Sequence, residues 1–355
     1  MEIKTFIGRK LSYINGILRR QIELDRYLMN LEDVKLTYEY YNPPKNLIDF
    51  ISKRYFLYPY YSKKNDKNKN TINHITFQYI GDLGHYLDKS RTIITCHDIF
   101  TFLERNNFTN PYFVQKYSAN GMKKCRFIIA ISKFTKNELI YRLKIPKDKI
   151  IVIKNGINRD MFFPIISSEF DNIEPLYPEH KKILHVGSEV NRKNFLTLLK
   201  AFYLVKKKDR NFKLIRIGKP AYKGFIKTLG LQKDVIYLNN ISNERLREIY
   251  NLVDFFVYPS TYEGWGAPGL EAASCGTPVL CSDITVFREV YRDFPIYFPP
   301  QNFKQLARII LENINNEVLK REMGRKGIQV ASNYSWEKSA RTYLKFAKFL
   351  IESQI

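Results

Sequence analysis

Short apolar runs, punctuated by glycine, proline or polar clusters, recur along the 355-residue chain, and between them apolar residues return every three or four positions. The first pattern marks strands buried on both faces; the second marks helices with one apolar face. In the first half, residues 2–7, 34–40, 72–79, 92–96, 126–132 and 150–153 read as strands. In the second half, residues 181–187, 213–218, 235–238, 255–258 and 278–281 do. Helical stripes run through Leu11, Ile14, Leu18 and Ile22, and through Phe195, Leu198, Leu199, Phe202 and Val205. Another runs through Leu246, Ile249 and Val253 behind a capping Ser242, and residues 301–330 read as helical. Strands alternating with helices predict an α/β protein whose sheets are parallel and covered by helices. Between 165 and 180 the periodicity fails, and Ser167, Ser168, Pro175 and Pro178 mark a linker. The expected division is a first domain over 1–164, a linker over 165–180, a second domain over 181–335 and a last helix over 336–355.

One stretch organises the rest. The run 255–258 passes through Pro259 into Ser260-Thr261-Tyr262-Glu263-Gly264-Trp265-Gly266-Ala267-Pro268-Gly269-Leu270-Glu271. This is a strand, a glycine-rich loop and a helix start, with Pro268 where a helix can begin. Such a junction aims free backbone N–H groups and the positive end of a helix dipole at one spot, which suits an anion. Glu263 in the loop and Glu271 in the expected first helical turn bracket it. Donors for phosphates beside carboxylates for hydroxyls fit a nucleotide sugar. A second junction of this kind follows residues 181–187, where Arg192 and Lys193 precede the Phe195 stripe; arginine forks onto phosphate oxygens and lysine adds a point charge. A third polar pair, His97-Asp98, ends the apolar run 92–96, at the strand edge where open α/β sheets bind ligands.

The segment from Glu263 to Glu271 resembles the E-G-F-G-x-P-x-L-E signature of family 4 retaining glycosyltransferases with the GT-B fold, with Trp265 in place of phenylalanine. Thr95-Cys96-His97-Asp98 is similar to the family's T-x-H-D element, and Ala130 to Lys136 to its I-A-V-S-E-F-T segment. Lys154-Asn155-Gly156-Ile157-Asn158 resembles P-N-G-V-D, and Tyr334-Ser335-Trp336-Glu337 resembles F-S-W-E. The resemblance implies two Rossmann-like domains with parallel sheets facing across a cleft, and a last helix crossing back to the first. It implies a nucleotide-sugar donor, a glycan or lipid-linked acceptor hydroxyl, retention at the anomeric carbon, no metal and no separate cofactor. Arg192 and Lys193 would hold the donor diphosphate. Glu271 would take the ribose hydroxyls, and Glu263 with the amides of Gly264, Trp265 and Gly266 would hold the sugar. His97 would contact that sugar, and backbone groups at Asn240 and Ile241 would pair with the base. Ser188 stands where many members carry an arginine. Gly8, Arg9 and Asp98 fall on the acceptor side.

Composition changes the picture in one respect. The formal charge is +23, spread as 29 Lys+Arg against 15 Asp+Glu over residues 1–164 and 29 against 20 beyond. A charge of that size implies nucleic acid, an anionic membrane face, anionic substrates or a lysine-rich proteome. No basic arm stands apart, which argues against a dedicated nucleic-acid segment. The stretch 53–61, KRYFLYPYY, followed by Lys63, Lys64, Lys67 and Lys69, mixes aromatic and basic residues. It fits a lipid headgroup interface or single-stranded nucleic acid, and equally a core strand followed by a charged loop. No apolar run is long enough to cross a bilayer. Cys96, Cys125, Cys275 and Cys281 lie far apart without metal-ligand spacing, as expected of buried thiols in a reducing cytosol. The expected location is the cytoplasm, with peripheral attachment to the inner membrane face. The rival readings are a basic nucleic-acid-binding protein and a GT-B-like binding protein without activity.

Overall fold

The eleven apolar runs read as strands do form strands, Ile296–Phe298 adds one that the sequence reading did not mark, and among the described residues these twelve lie in two six-stranded parallel sheets. The computed structural model describes residues 1–7, 16–30, 34–40, 47–60, 70–103, 112–166, 175–188 and 190–352. Over these residues the chain divides into two compact units, Met1–Gly156 with Ser335–Ile355, and Ile157–Tyr334.

In the first unit the strands are β1 (Glu2–Ile7), β2 (Lys35–Tyr40), β3 (Thr71–Ile75), β4 (Thr92–Cys96), β5 (Phe127–Ala130) and β6 (Ile150–Val152), in the order β2-β1-β3-β4-β5-β6. The strands β3 and β4 are buried along their whole length, Asn73 and His74 of β3 included. Helix Gly16–Met29 buries Leu24 and Leu28 against Ile3 and Ile72. The expected stripe does not form: Ile22 points to solvent, while Arg20, Gln21 and Asp25 turn inward. Leu11 and Ile14 lie outside the described residues. Helix Trp336–Glu352 packs Trp336, Ala340, Tyr343 and Leu350 into the same core. A Cβ on Gly156 would meet the Trp336 backbone nitrogen at 2.2 Å, so two of the sequence motifs meet where only glycine leaves room.

In the second unit the strands are β7 (Lys181–Val186), β8 (Phe212–Ile217), β9 (Val235–Leu238), β10 (Phe255–Tyr258), β11 (Val279–Ser282) and β12 (Ile296–Phe298). Their order is β12-β11-β10-β7-β8-β9, so chain direction across the sheet reverses between β7 and β10. Crossovers on either side of such a point diverge and leave a crevice at the carboxyl ends of the two strands. The stripe Phe195, Leu198, Leu199, Phe202 and Val205 of helix Phe195–Lys208 is buried on this sheet. Ser242 caps helix Asn243–Leu252 by accepting from the Arg245 N–H. The helical stretch expected over 301–330 is two helices, Phe303–Asn313 and Glu317–Ala331.

Two expectations differ in detail. The change of unit comes after Gly156 rather than at 164. Residues 157–166 belong with the second sheet because the Ile157 N–H donates to the Tyr334 carbonyl, Ser274 donates to the Phe162 carbonyl, and the Ile165 N–H donates to Asn251. Residues 167–174, inside the expected linker, lie outside the described residues. The stretch 53–60 is helical, not a core strand: helix Leu47–Ser52 runs into a π-helical turn, Lys53–Leu57, and on through residue 60.

Candidate active site

The switch point between β7 and β10 collects the cationic pair and the loop glutamate predicted from sequence. After β7 the chain turns through Gly187 and Ser188 into a short 3₁₀ turn, Asn191–Lys193, and Asn194 adopts a left-handed conformation that opens helix Phe195–Lys208. The Asn194 amide donates to the Pro259 and Pro300 carbonyls, pinning this turn to the loop that leaves β10. On that loop the Thr261 N–H donates back to the Arg192 carbonyl at 2.8 Å.

Glu263 is the centre of the arrangement. It is 6% exposed, and Lys193 Nζ donates to its Oε1 at 2.5 Å while Arg192 Nη1 donates to its Oε2 at 3.1 Å. Ser260 and Tyr258 also donate to Oε1, at 2.8 and 3.0 Å, and Lys193 donates to the Tyr258 hydroxyl at 3.0 Å. Burial alone would raise the Glu263 carboxyl. The Lys193 and Arg192 charges outweigh it, with hydrogen bonds from Lys193 and Ser260, and hold the group below its usual range. Burial, and then the Glu263 charge, push the Tyr258 phenol well above its own range, so it stays a donor. The result is a fixed carboxylate and two cations at the end of the sheet, a polar group set that an anionic ligand can enter by displacing one partner for another.

The glycine loop is held from below. Gly266 has φ +90° and caps helix Ala267–Ser274. A Cβ on Gly266 or Gly269 would meet the Tyr291 hydroxyl oxygen at 2.3 Å, and that hydroxyl donates to the Gly266 carbonyl. Trp265 is buried with its ring edge-on to Tyr334 at 5.0 Å between centroids. Because the helix begins at Ala267, Glu271 lies beyond its first turn, one turn later than expected. Glu271 is buried, and the Tyr250 hydroxyl donates to its Oε2 at 3.3 Å. Ser188 is exposed, and its carbonyl accepts from Arg216, which is wholly buried on β8 with its guanidinium 4.1 Å from the Phe195 ring centroid. The arginine usual at position 188 is absent, and Arg216 braces the backbone there from beneath. Asn240, left-handed at φ 53°, and Ile241 lie past the carboxyl end of β9.

In the first unit, His97 follows β4 at its carboxyl end and is 8% exposed. Its Nε2 donates to the Thr76 carbonyl at 3.1 Å, and its backbone N–H donates to Gln78. Burial, with the Arg20 charge behind it, pushes the imidazole down to about 3, so the ring is neutral. Asp98 accepts from the Phe100 N–H, a turn that opens the short helix Phe100–Leu103. His85 has a structural part, stacked on Tyr117 at 4.2 Å and bonded to the Tyr117 carbonyl. Gly8 and Arg9 lie outside the described residues. Sequence reasoning missed Arg20, whose Nε donates to Asn155 at 2.7 Å in the interior. It missed Tyr258, Arg216 and Tyr291 as well. A charge inside the apolar run 212–217 was a usable signal for Arg216; the others had none. All four cysteines are buried and free. Among the described residues no group of three or more His, Cys, Asp or Glu could hold a metal ion, and no helix is long and apolar enough to cross a membrane.

Comparison with known proteins bears on the fold and the family. Residues 167–330 match the family described as glycosyl transferases group 1, and residues 40–161 match glycosyltransferase family 4. The chain is 29% identical over 281 residues to an O-antigen chain mannosyltransferase B of Escherichia coli, covering 76% of this chain and 72% of that one. Among solved structures, sucrose-phosphate synthase from Thermosynechococcus elongatus superposes with a TM-score of 0.79 at 17% identity, over 99% of each chain. The Anabaena HepE protein, solved in complex with UDP and glucose, gives 0.77 at 14% identity over 98% of this chain and 99% of that one. Two parallel six-stranded sheets and a glycine loop framed by two glutamates define a GT-B glycosyltransferase. Within that class the chain belongs to the family 4 glycosyltransferases.

Proposed function

We propose that the protein is a retaining, metal-independent transferase that moves a hexose from a nucleoside-diphosphate sugar to a hydroxyl of a glycan or lipid-linked glycan in cell-surface polysaccharide synthesis. The observation that carries this reading is the buried Glu263 carboxylate bound by both Lys193 and Arg192 at the carboxyl edge of the second sheet. Two fixed cations suit a diphosphate, and they take the role a divalent ion would otherwise fill as negative charge builds on the leaving phosphate. Glu271, deeper on the helix, is the carboxylate for ribose hydroxyls. Glu263 and the amides of Gly264, Trp265 and Gly266 orient the sugar, and His97 is assigned a sugar contact through a neutral imidazole. Asn240 and Ile241 are assigned the base. The chemistry is electrostatic and positional: the departing diphosphate is stabilised and an oxocarbenium-like centre is held in place. The similarity to an O-antigen mannosyltransferase favours mannose as the sugar.

The test is a screen of UDP-, GDP-, ADP- and dTDP-sugars, with mannose donors included, by thermal shift and by release of nucleoside diphosphate in the presence of a chelator. One base should stabilise the protein and turn over slowly with water, and the anomeric configuration of the glycosylated product should match that of the donor. No response to any donor, or turnover that needs an added divalent ion, overturns the reading.

A further inference from the structure

Outside the donor site, exposed apolar side chains gather on the helical stretch 47–60 of the first unit. Fourteen large apolar side chains are exposed among the described residues, and six of them fall here: Ile48, Ile51, Tyr55, Phe56, Leu57 and Tyr60. Ile48 is 79% exposed, Phe56 71% and Tyr60 62%. Of the seven positions between 48 and 60 described as exposed, Ser52 alone is polar. Lys53 is tied to Asp49 at 2.7 Å, so neither brings a free charge to the outer face. Tyr58 is the anchor, buried in the core with Phe6, Ile75 and Leu83. The π-helical turn at Lys53–Leu57 adds a residue to one turn and spreads the apolar side chains over a wider arc. A helix that buries one aromatic and shows six large apolar residues to water is built for a second phase or a partner.

We propose that this stretch is the surface by which the protein lies on an anionic lipid bilayer, with Ile48, Phe56 and Tyr60 at the level of the acyl boundary. Tyrosines mixed with aliphatic residues suit the headgroup region, where the ring is apolar and the hydroxyl is wet. The surroundings are basic. Tyr55 packs on Tyr117, with ring centroids 5.7 Å apart, and Lys116 beside it is exposed. Lys89 and Lys124, both exposed, stand close enough to His85, on which Tyr117 stacks, for their charges to act on it. Lysines beside an apolar helix attract anionic headgroups. The same charge disfavours a second copy as the occupant, because two chains of net charge +23 repel. The proposal does not depend on the donor assignment.

The experiment is co-sedimentation of the full chain with vesicles of pure phosphatidylcholine and with vesicles holding about 30% phosphatidylglycerol, at low and at high salt. Wild type should pellet with the anionic vesicles at low salt and be largely released at high salt. The double variant Ile48→Glu/Phe56→Glu should lose about tenfold or more of that partition. Tyr141→Glu, at a residue equally exposed on another helix, should pellet as wild type does. Thermal melting and slow donor hydrolysis without vesicles should be unchanged in both variants, which separates failure of this surface from failure of the donor reading. The proposal is overturned if wild type ignores anionic vesicles, if it binds both vesicle types alike, or if the double variant pellets normally. It is overturned also if the double substitution instead dissolves a dimer seen by size exclusion, or if both variants lose partition equally.

Discussion

Tyr258 donates its hydroxyl to Glu263 Oε1 at 3.0 Å and at the same time receives Lys193 Nζ, so one phenol ties a strand end to both partners of the buried ion pair. Tyr258→Phe removes that tie while leaving the ring packed on Phe256 and Phe287. A hydrogen bond to a charged group is worth about 1.5 to 3 kcal/mol. The variant should therefore melt earlier and turn over several-fold more slowly, with donor affinity nearly unchanged. Steady-state kinetics beside a melting curve checks both; an unchanged kcat removes Tyr258 from the positioning of Glu263.

The acid limb of stability should follow Glu263. Its carboxyl is held below the range of an unfolded glutamate, near 4.3. The stabilisation is therefore present above that value and is lost as pH falls through the lower folded one. In Glu263→Gln this contribution is absent, and the melting temperature against pH should be flatter below about pH 4.5. The same variant should lose about 100-fold or more in turnover, since a neutral amide does not hold the two cations in place. A variant as acid-sensitive as wild type contradicts the assignment.

Three histidines act on the same acid side but begin at higher pH. Burial holds His74, His97 and His185 neutral, each pushed down to about 3, with a nearby arginine adding to the effect. In the unfolded chain they take a proton below about 6.5. The unfolded state then binds more protons, so stability is full above about pH 6.5 and falls as pH drops toward 3, by up to about 1.4 kcal/mol per pH unit for each histidine. Urea midpoints should drop between about pH 7 and pH 5, the three histidines outweighing the single carboxyl of Asp25, which burial raises to about 6 and whose penalty eases over the same interval. Midpoints that stay level over that interval contradict the neutral assignment.

Glu271→Ala should lower donor affinity about 10- to 100-fold, the loss expected when a charged acceptor for two hydroxyls is removed. Titration calorimetry with the donor base found in the screen reads the change directly. Affinity for the free sugar phosphate, which has no ribose, should stay the same. An equal loss for both would place Glu271 elsewhere.

Gly269, beneath the glycine loop, should differ from an ordinary helical glycine. Gly269→Ala drives a methyl into the Tyr291 hydroxyl and should cost about 1 to 3 kcal/mol. Gly224→Ala, in helix Lys223–Thr228, meets nothing within 4 Å and should be neutral or stabilising by up to about 1 kcal/mol. Differential scanning calorimetry on the two variants should give shifts of opposite sign.

The inner strands were legible because β3, β4, β10 and β11 are buried along their whole length and so read as apolar runs; β2, at a sheet edge with no buried residue, was found by its alternation, and β12, three residues long, was not read. The loop from Glu263 to Glu271 and the pair Arg192 and Lys193 were legible because a strand, a tight loop and a helix start leave glycine, proline and charge at set intervals. The helix Gly16–Met29 was misread for the same reason in reverse. Its inward face carries Arg20, Gln21 and Asp25, which are buried with polar partners: Asn155, 135 residues on, for Arg20, Asp25 for Gln21, and Tyr38 on the next strand for Asp25. The unit boundary was missed because residues 157–166 carry little periodicity of their own and are held by hydrogen bonds to Asn251, Ser274 and Tyr334.

By itself the sequence determined the class of fold, the two loops that face one another in the second sheet, and the chemistry those loops can offer. These are local matters, set by which residues can turn, pack or carry charge at a given spacing. The tertiary structure alone decided that Glu263 takes Lys193, Arg192, Tyr258 and Ser260 together, because strand order places the ends of β7 and β10 side by side although about 70 residues separate them. It alone decided that Arg216 braces the Ser188 turn and that Tyr291 fills the space beneath Gly266 and Gly269. Burial is a property of neighbours brought together by the fold, and no spacing along one chain specifies it.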